Sequence, residues 1–525
     1  MTTTETIAAG RAILGIELGS TRIKACLIGD DPSSVIASGS FEWENDLVDG
    51  VWTYSIDSVW RGLQSAYADL VADVRRQFDV TPTSFAAIGI SAMMHGYLAL
   101  GADDELLVPF RTWRNTTTGE AAAELTGLFG MNIPLRWSIA HLHQAVKDVE
   151  PHVPQIRHLT TLAGYVHRAL TGRGVLGVGD ASGMFPIDPA TGDYDADFLG
   201  RYDRLASLHS PLHDLLPAVL SAGASAGSLT EAGAALLDPT GMLSPGIPFA
   251  PPEGDAGTGM VATNAIAPRT GNVSAGTSIF AMVVLERPLA HIHHEIDIVT
   301  TPAGDPVAMV HCNNGASELA AWAKMFERFA EAAGTPLDSD AVFDILFREA
   351  LDGAPDAGGL FAYNQVAGEP IAGLDEGRPL FVRTPDSRLN LANTMRAQLY
   401  GVFGTLALGM RILDDEGVKL DRMFAHGGMF RTAGVAQRFL AGALDAPVSV
   451  SKTAGEGGAW GMAVLAAYTA SGATVGLHEF LSTSVFADTE LVTAEPGPDD
   501  VAGFAAYLDR YRDGLAVVRA AITAL

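Results

Sequence analysis

The sequence predicts two mixed α/β domains carried on one chain of 525 residues. Two observations carry that prediction. Apolar residues make up 48% of the chain against 18% charged, a balance that builds large cores and is far from disorder. Each half opens with a strand, a turn of small residues and a second strand, then continues as helices mixed with strands. No short-period repeat marks a solenoid. The organisation expected is a flexible lead-in over 1–11, a first domain over 12–262 and a second over 263–525.

The elements follow in order. "AILGIELG" and "IKACLIG" are apolar, β-branched runs joined by a short turn, which predicts a strand pair. "FAAIGISAMM" reads as a further buried strand. "LTTLAGYVHRALTG" reads as a helix closed by Gly172, and "SLTEAGAALL" as one capped by Ser228 or Thr230. The chain then reaches "PPEGDAGTGM" over 251–260, a stretch poor in side chains that taken alone reads as a turn around Asp255. In the second half, "TGNVSAGTSIFAMVVL" is again strand, turn, strand. "ELAAWAKMFERFAEAAG" has three- and four-residue apolar spacing and ends at Gly334. "NTMRAQLYGVFGTLALGMRILDD" predicts a long buried helix, "RMFAHGGMF" a strand and glycine turn, and "EGGAWGMAVLAAYTA" a small-residue helix.

Charge and cysteine content exclude several classes. A formal charge of −28 argues against nucleic-acid or anionic-membrane partners, which need a basic face. Cys26 and Cys312 are far apart in apolar settings, so neither a disulfide framework nor a zinc pattern is present. "MTTTETIAAGRA" has no apolar signal core, and no uncharged run approaches bilayer-spanning length, which leads us to expect a cytoplasmic protein.

Three small-residue turns could carry chemistry. "GIELGSTRIK" matches neither the Walker loop nor the dinucleotide fingerprint. It sets Glu17 at a strand end, followed by Gly19, Ser20 and Thr21, with Lys24 just beyond. Backbone N–H groups and hydroxyls in such a turn suit phosphate oxygens, and the carboxylate suits a hydrated Mg²⁺. The plain alternative is an ordinary hairpin turn. "NVSAGTSIF" repeats the pattern with Gly276, Thr277 and Ser278, and "AHGGMF" adds Gly427 and Gly428, which let a flat base or sugar approach the backbone.

The ordered set "GIELGSTRIKA", "ISAMMHG", "AGSLTEAGAALL…GIPFAPPEGDAGTG", "SAGTSIF", "GEPI…GRPLF…RAQLYGVFGTL", "AHGGMF" and "EGGAWGMAVLAA" resembles the FGGY family of carbohydrate kinases from about residue 12 to 470. The resemblance implies two actin-like (ribonuclease-H-like) α/β domains flanking a catalytic cleft, with ATP held mainly by the C-terminal one. It puts Asp255 at the general base that takes the proton of a sugar hydroxyl, with Mg²⁺ near Glu17 and Asp255. Gly19, Ser20, Thr21 and Lys24 would meet the transferred phosphate. Gly276, Thr277 and Ser278 would meet the nucleotide phosphates, and Gly427, Gly428 and Phe430, with the 456–460 turn, the adenosine. The glycines around Asp255 then read as clearance for the reacting groups. Two departures stand out: the family usually has Asp where this chain has Glu17, and the adenosine segment lacks a frequent Trp.

The sugar side is read the same way. "AMMHGYL" resembles the Met-His-Gly segment of xylulokinases and sedoheptulokinases, which makes Met94, His95 and Gly96 sugar contacts; a packed core histidine is the plain alternative. Trp113-Arg114-Asn115 falls where xylulokinases have Trp-Asn-Asp, making Trp113 and Asn115 candidates, and Asp180 is a further sugar contact. "VSVSKTAGEGGAWGMAVLAAY" reads closer to ribulokinases. A ketopentose, xylulose or ribulose, is favoured over sedoheptulose, gluconate or erythritol. The expected partners are ATP or ADP and a small sugar, with no nucleic acid and no membrane. Homodimers are common in such families, and the oligomeric state stays open.

"HIHHE" (291–295) has a metal-like composition but lacks a second cluster, so it reads as a solvated strand or loop. "CNNGASELAAW" (312–322) reads as a turn capping a helix, with Asn313 and Asn314 structural. The competing functional class is a non-transferring ATP-binding sensor or chaperone-like module on the same scaffold. An oxidoreductase is disfavoured by the missing glycine fingerprint.

Overall fold

The computed structural model describes residues 1–451 and 457–525. Its contacts divide the chain into two compact units. One is Met1–Ile266 with Ile298–Val307 and Gly455–Thr489; the other is Ala267–Asp297 with Ala308–Ala454 and Glu490–Leu525. The first division thus falls four residues after the boundary read from the sequence, and two later segments pack with the first unit.

The first unit is built on a five-stranded sheet in the order Glu253–Gly254, Ala87–Ala92, Ile13–Leu18, Arg22–Ile28, Val35–Glu42. Ile13–Leu18 pairs antiparallel with Arg22–Ile28, as the two apolar runs predict, and parallel with Ala87–Ala92. The helix Ile56–Phe78 buries Val59, Leu63, Ala66, Tyr67, Leu70 and Val74 at helical spacing, a stripe that packs into the sheet's core. Each such aliphatic side chain contributes about 1.5–3 kcal/mol. Gly39 allows that contact, because a Cβ there would lie 2.2 Å from the Leu70 nitrogen.

The small-residue helix Gly457–Ala470 packs within this first unit. It is buried along nearly its whole length against Ile13–Leu18 and the helix Asp255–Ala262. The physical reason lies in its composition. A Cβ at Gly15 would lie 2.3 Å from the Ala459 carbonyl, and one at Gly461 would lie 2.1 Å from the Thr258 carbonyl. Only a Gly/Ala surface lets backbones approach this closely.

The lead-in is ordered, not flexible. Thr3–Ala8 form a helix with a capping box between Thr2 and Glu5, and Ile7 is buried. Thr6 Oγ1 and Arg11 both bond Asp30, at 3.0 and 2.8 Å. One capped turn with one buried Ile is enough to hold the segment down.

In the second unit the sheet runs in the order Pro306–Cys312 (from Ala308 onward), Ile279–Val284, Thr270–Ala275, Arg422–His426, Val448–Ser451, Leu491–Ala494. Thr270–Ala275 pairs antiparallel with Ile279–Val284 and parallel with Arg422–His426. Both sheets therefore set their opening strand in the middle, a hairpin partner on one side and a parallel strand on the other, which is the duplicated actin-like plan. The helix Leu391–Asp415, mostly apolar, is buried on almost all sides. Its buried Arg396 is paired at 2.7 Å with Asp500, at the start of the helix Pro498–Ala524; Asp500 also accepts from Arg438 at 2.6 Å.

Cys26 and Cys312 are both buried and form no disulfide. Among the described residues no helix is long and apolar enough to cross a membrane.

Candidate functional site

The first unit gathers a group of carboxylates. "DAGTGM" is no flexible turn: Asp255 is the first residue of the helix Asp255–Ala262, with Gly254 as N-cap. The backbone N–H of Met94 donates to Asp255 Oδ1 at 3.1 Å, and burial pushes the carboxyl up to about 6. The surrounding glycines make room for protein more than for ligand. A Cβ at Gly254 would lie 2.9 Å from Met94 Cγ, and one at Gly257 would touch Pro302, while Gly259 borders open space.

Glu17 is the next-to-last residue of the central strand Ile13–Leu18 and is half-buried. Burial first and the Asp255 charge second push it up to about 7; Lys24 and an N–H from Ala459 pull the other way. Lys24 stands directly opposite Glu17 in the antiparallel pair. The long side chain fits because of Gly458, where a Cβ would lie 2.1 Å from Glu17 Oε1.

Asp180 is buried beside them. Thr161 Oγ1 donates to its Oδ2 at 2.6 Å, while its Oδ1, near Gly254, has no hydrogen-bond partner. Burial and the Asp255 charge raise it to about 7, against the Thr161 hydrogen bond. Beneath it lies a residue that sequence reasoning missed. Glu253 is fully buried and accepts the backbone N–H groups of Gly179 at 3.3 Å and Asp180 at 3.0 Å. Burial, then Asp180, push Glu253 up to about 8. Its position two residues before Asp255 was the available signal.

The turn after Glu17 is held by aromatic side chains. Gly19 N–H donates to Arg22 O at 3.0 Å, which closes it. Trp43 Nε1 donates to Gly19 O at 2.7 Å and the Tyr54 hydroxyl to Ser20 O at 2.6 Å, with the two rings stacked 4.2 Å apart. Thr21 is exposed and Ser20 half-exposed. Trp113 Nε1 donates to Ser20 Oγ at 3.3 Å, joining the expected sugar segment to this turn.

Met94-His95-Gly96 is buried and bends sharply: φ is +70° at His95 and +96° at Gly96. A histidine in that region is strained, and the bend is kept by Gly96 N–H to Arg136 O and Ser138 Oγ to Gly96 O. His95 Nδ1 lies 3.4 Å from Gly183 O. Asn115 is spent otherwise than expected. Its amide accepts from Trp52 N at 2.9 Å and donates to Trp52 O and Thr112 O at 2.8 and 3.0 Å, so it fastens backbone.

The second unit holds a cavity of about 550 Å³ lined by Gly276, Ala316, Leu319, Phe343, Met429 and Arg431, among others. The Gly276–Ser278 turn closes on itself through Gly276 N–H to Ser278 O, 2.9 Å. Ala316 N–H donates to Gly276 O at 2.8 Å, which seats the turn against the start of the helix Ser317–Ala332. Gly427 has φ +111°, and a Cβ would lie 2.3 Å from Ala275 O, so the two strand ends close up only with glycine. Gly276 and Gly428 line the cavity; Thr277 and Ser278 adjoin it in the chain, and Phe430 is buried outside its lining. Met429 and Arg431, its neighbours in the chain, line the cavity. The 456–460 turn begins at Glu456, outside the described residues. Asn313 and Asn314 are structural: Asn314 is buried and donates to Ala367 O and Glu369.

Chains of known structure share this architecture. The chain matches a xylulose kinase from Lactobacillus acidophilus at 19% identity, covering 96% of this chain and 98% of that one, with a TM-score of 0.79. A xylulose kinase from Rhodospirillum rubrum matches at 21%, 97% and 99%, TM-score 0.78. A gluconate kinase from Lactobacillus acidophilus matches at 18%, 97% and 99%, TM-score 0.75. At such identities these likenesses speak for the fold. No curated protein matches the chain significantly. Two family models do: the N-terminal domain of the FGGY family of carbohydrate kinases over residues 12–262, and its C-terminal domain over 271–470. With both domains in order over most of its length, the chain belongs to the FGGY family of carbohydrate kinases and is an ATP-dependent sugar kinase.

Proposed function

We propose that the enzyme phosphorylates a terminal hydroxyl of a ketopentose, xylulose or ribulose, with Asp255 as general base. The observation that carries this reading is the juxtaposition of Asp255 with the unpartnered Asp180 Oδ1. One oxygen can accept a hydrogen bond from a neighbouring sugar hydroxyl while the other carboxylate takes the reacting proton. The hydroxyl oxygen attacks the γ-phosphorus, the bond to the β-γ bridging oxygen breaks, ADP leaves, and the proton passes to Asp255. With a carboxyl raised only to about 6, Asp255 is ionised and ready to accept it near neutral pH.

Met94, through its N–H, orients Asp255, and Met94, His95, Gly96 and Trp113 border the sugar. Asn115 positions the Trp113 segment. Gly19, Ser20, Thr21 and Lys24 serve the transferred phosphate. In the second unit, Gly276, Thr277, Ser278, Gly427 and Gly428 serve the nucleotide, whose base the apolar cavity suits by size and lining. The residues fit Mg²⁺: Glu17 is a carboxyl whose ionisation the Asp255 charge opposes, a strain that a hydrated divalent cation relieves. When bound, Mg²⁺ neutralises phosphate charge. Two buried thiols without a disulfide support a cytoplasmic setting.

Two xylulose kinases among the structural relatives support the ketopentose, and a gluconate kinase names the rival. ADP release measured with xylulose, ribulose, sedoheptulose, gluconate, erythritol and glycerol tests it. The highest kcat/KM is expected for a ketopentose, and a higher value for gluconate or a polyol overturns the assignment.

A further inference from the structure

The "HIHHE" segment lacks a second ligand cluster in the sequence, and folding supplies one. It follows strand Ile279–Val284 and precedes strand Ile296–Thr300, and Glu416 caps the C-terminus of the helix Leu391–Asp415; the three side chains all lie within the second unit. His291 Nδ1 lies 2.8 Å and His293 Nε2 2.7 Å from Glu416 Oε1. One donor atom from each of the three falls within 4.8 Å of the others.

We propose that His291, His293 and Glu416 form a binding site for a borderline divalent transition ion of the Zn²⁺ class, separate from the catalytic carboxylates. Two imidazole nitrogens and one carboxylate oxygen are the donor set such an ion prefers, whereas Mg²⁺ takes oxygen ligands and keeps its waters. Bonds of about 2.0–2.1 Å in a tetrahedral arrangement put ligand atoms roughly 3.3 Å apart. The two histidine–Glu416 distances therefore need to open by only about half an ångström around an entering ion.

The surroundings are those of a built site. The backbone N–H of Ala290 donates to Glu416 Oε2 at 2.7 Å and that of His291 to Oε1 at 3.1 Å, so the carboxylate is aimed before any ion arrives. The Glu416 side chain is 4% exposed while His291 is 80% exposed, which gives a fixed floor and an open entry. The end of a 25-residue helix presents partial negative charge to a cation there. The fourth position is left to water. Bound metal would staple the 285–295 connection to the end of that helix, a structural role with no part in phosphate transfer.

The test uses the full-length enzyme, stripped with chelator and titrated with ZnCl₂ by calorimetry in excess Mg²⁺. Co²⁺ absorption serves as a second readout of geometry. One equivalent is expected to bind at micromolar concentration with a rise in Tm, and Co²⁺ to show the intense visible bands of tetrahedral coordination. His291→Asn with His293→Asn, both side chains on the surface loop, should lose that equivalent while kinase activity persists. Glu416→Gln should weaken it by about tenfold or more. Zn²⁺ binding of equal stoichiometry and affinity in wild type and the double variant would overturn the site, as would no binding in the wild type or competition by millimolar Mg²⁺.

Discussion

Glu253 Oε2 accepts the backbone N–H of Asp180 at 3.0 Å, so one buried carboxyl positions the backbone of another. The two residues should separate in a mutational test. Asp180→Asn keeps the Thr161 contact and alters the free oxygen offered to substrate; KM for sugar should rise about 10- to 100-fold, with no loss of Tm. Glu253→Ala leaves the N–H groups of Gly179 and Asp180 unpaired, at about 1–3 kcal/mol each, and should lower Tm as well as raise KM. Steady-state kinetics beside thermal denaturation distinguish the two roles.

Asp255→Asn should lower kcat by about 10²–10⁴-fold while the protein stays folded. The amide oxygen still accepts from Met94, and burial already favours an uncharged side chain here, so Tm should hold or rise. Turnover near the wild-type value would remove Asp255 from the role of base.

Activity and stability should move in opposite directions with pH. The base works ionised, so kcat/KM should fall as pH drops below about 6. Glu17, Asp180 and Glu253 have folded pKa values raised to about 7, 7 and 8, so the folded state binds more protons than the unfolded one between their ordinary values and these. Their contribution to stability is fully present below the ordinary carboxyl range and is lost as pH rises through the folded values. The Tm difference between wild type and Asp180→Asn should widen from pH 5 toward about pH 8, with the variant gaining. A constant difference across that range would refute the raised Asp180 pKa.

Ala320→Trp places an indole on the lining of the second unit's cavity. KM for ATP should rise about tenfold, equivalent to ~1.4 kcal/mol of lost binding, with KM for sugar unchanged. An effect on sugar alone would take the nucleotide out of this cavity.

Asp500→Ala should destabilise the second unit by about 3–5 kcal/mol, because Arg396, 2% exposed, loses its carboxylate partner inside the protein. Denaturant titration followed by circular dichroism reads the change directly.

Much of the fold was legible because its signals are local. Apolar β-branched runs separated by small-residue turns marked the central strand pair of each sheet, and Thr230 and Gly172 cap helices where their residue types suggest. Asp255 and Glu17 were legible as a motif in order along the chain. The sequence by itself determined which residue types stand at strand ends and helix starts, and so the family.

Tertiary structure decided what those residues touch. Asn115 looked like a sugar ligand, but strand Val51–Thr53 takes its amide; Phe430 looked like a base contact, but packing takes its ring. Glu253 is silent in sequence because its role is to accept N–H groups from a segment more than 70 residues away. His291, His293 and Glu416 are likewise joined across more than 120 residues. Hydrogen bonds and charges act over a few ångströms in space, whereas sequence patterns report only neighbours along the chain, so the partners of buried carboxylates and histidines are fixed only when the chain closes on itself.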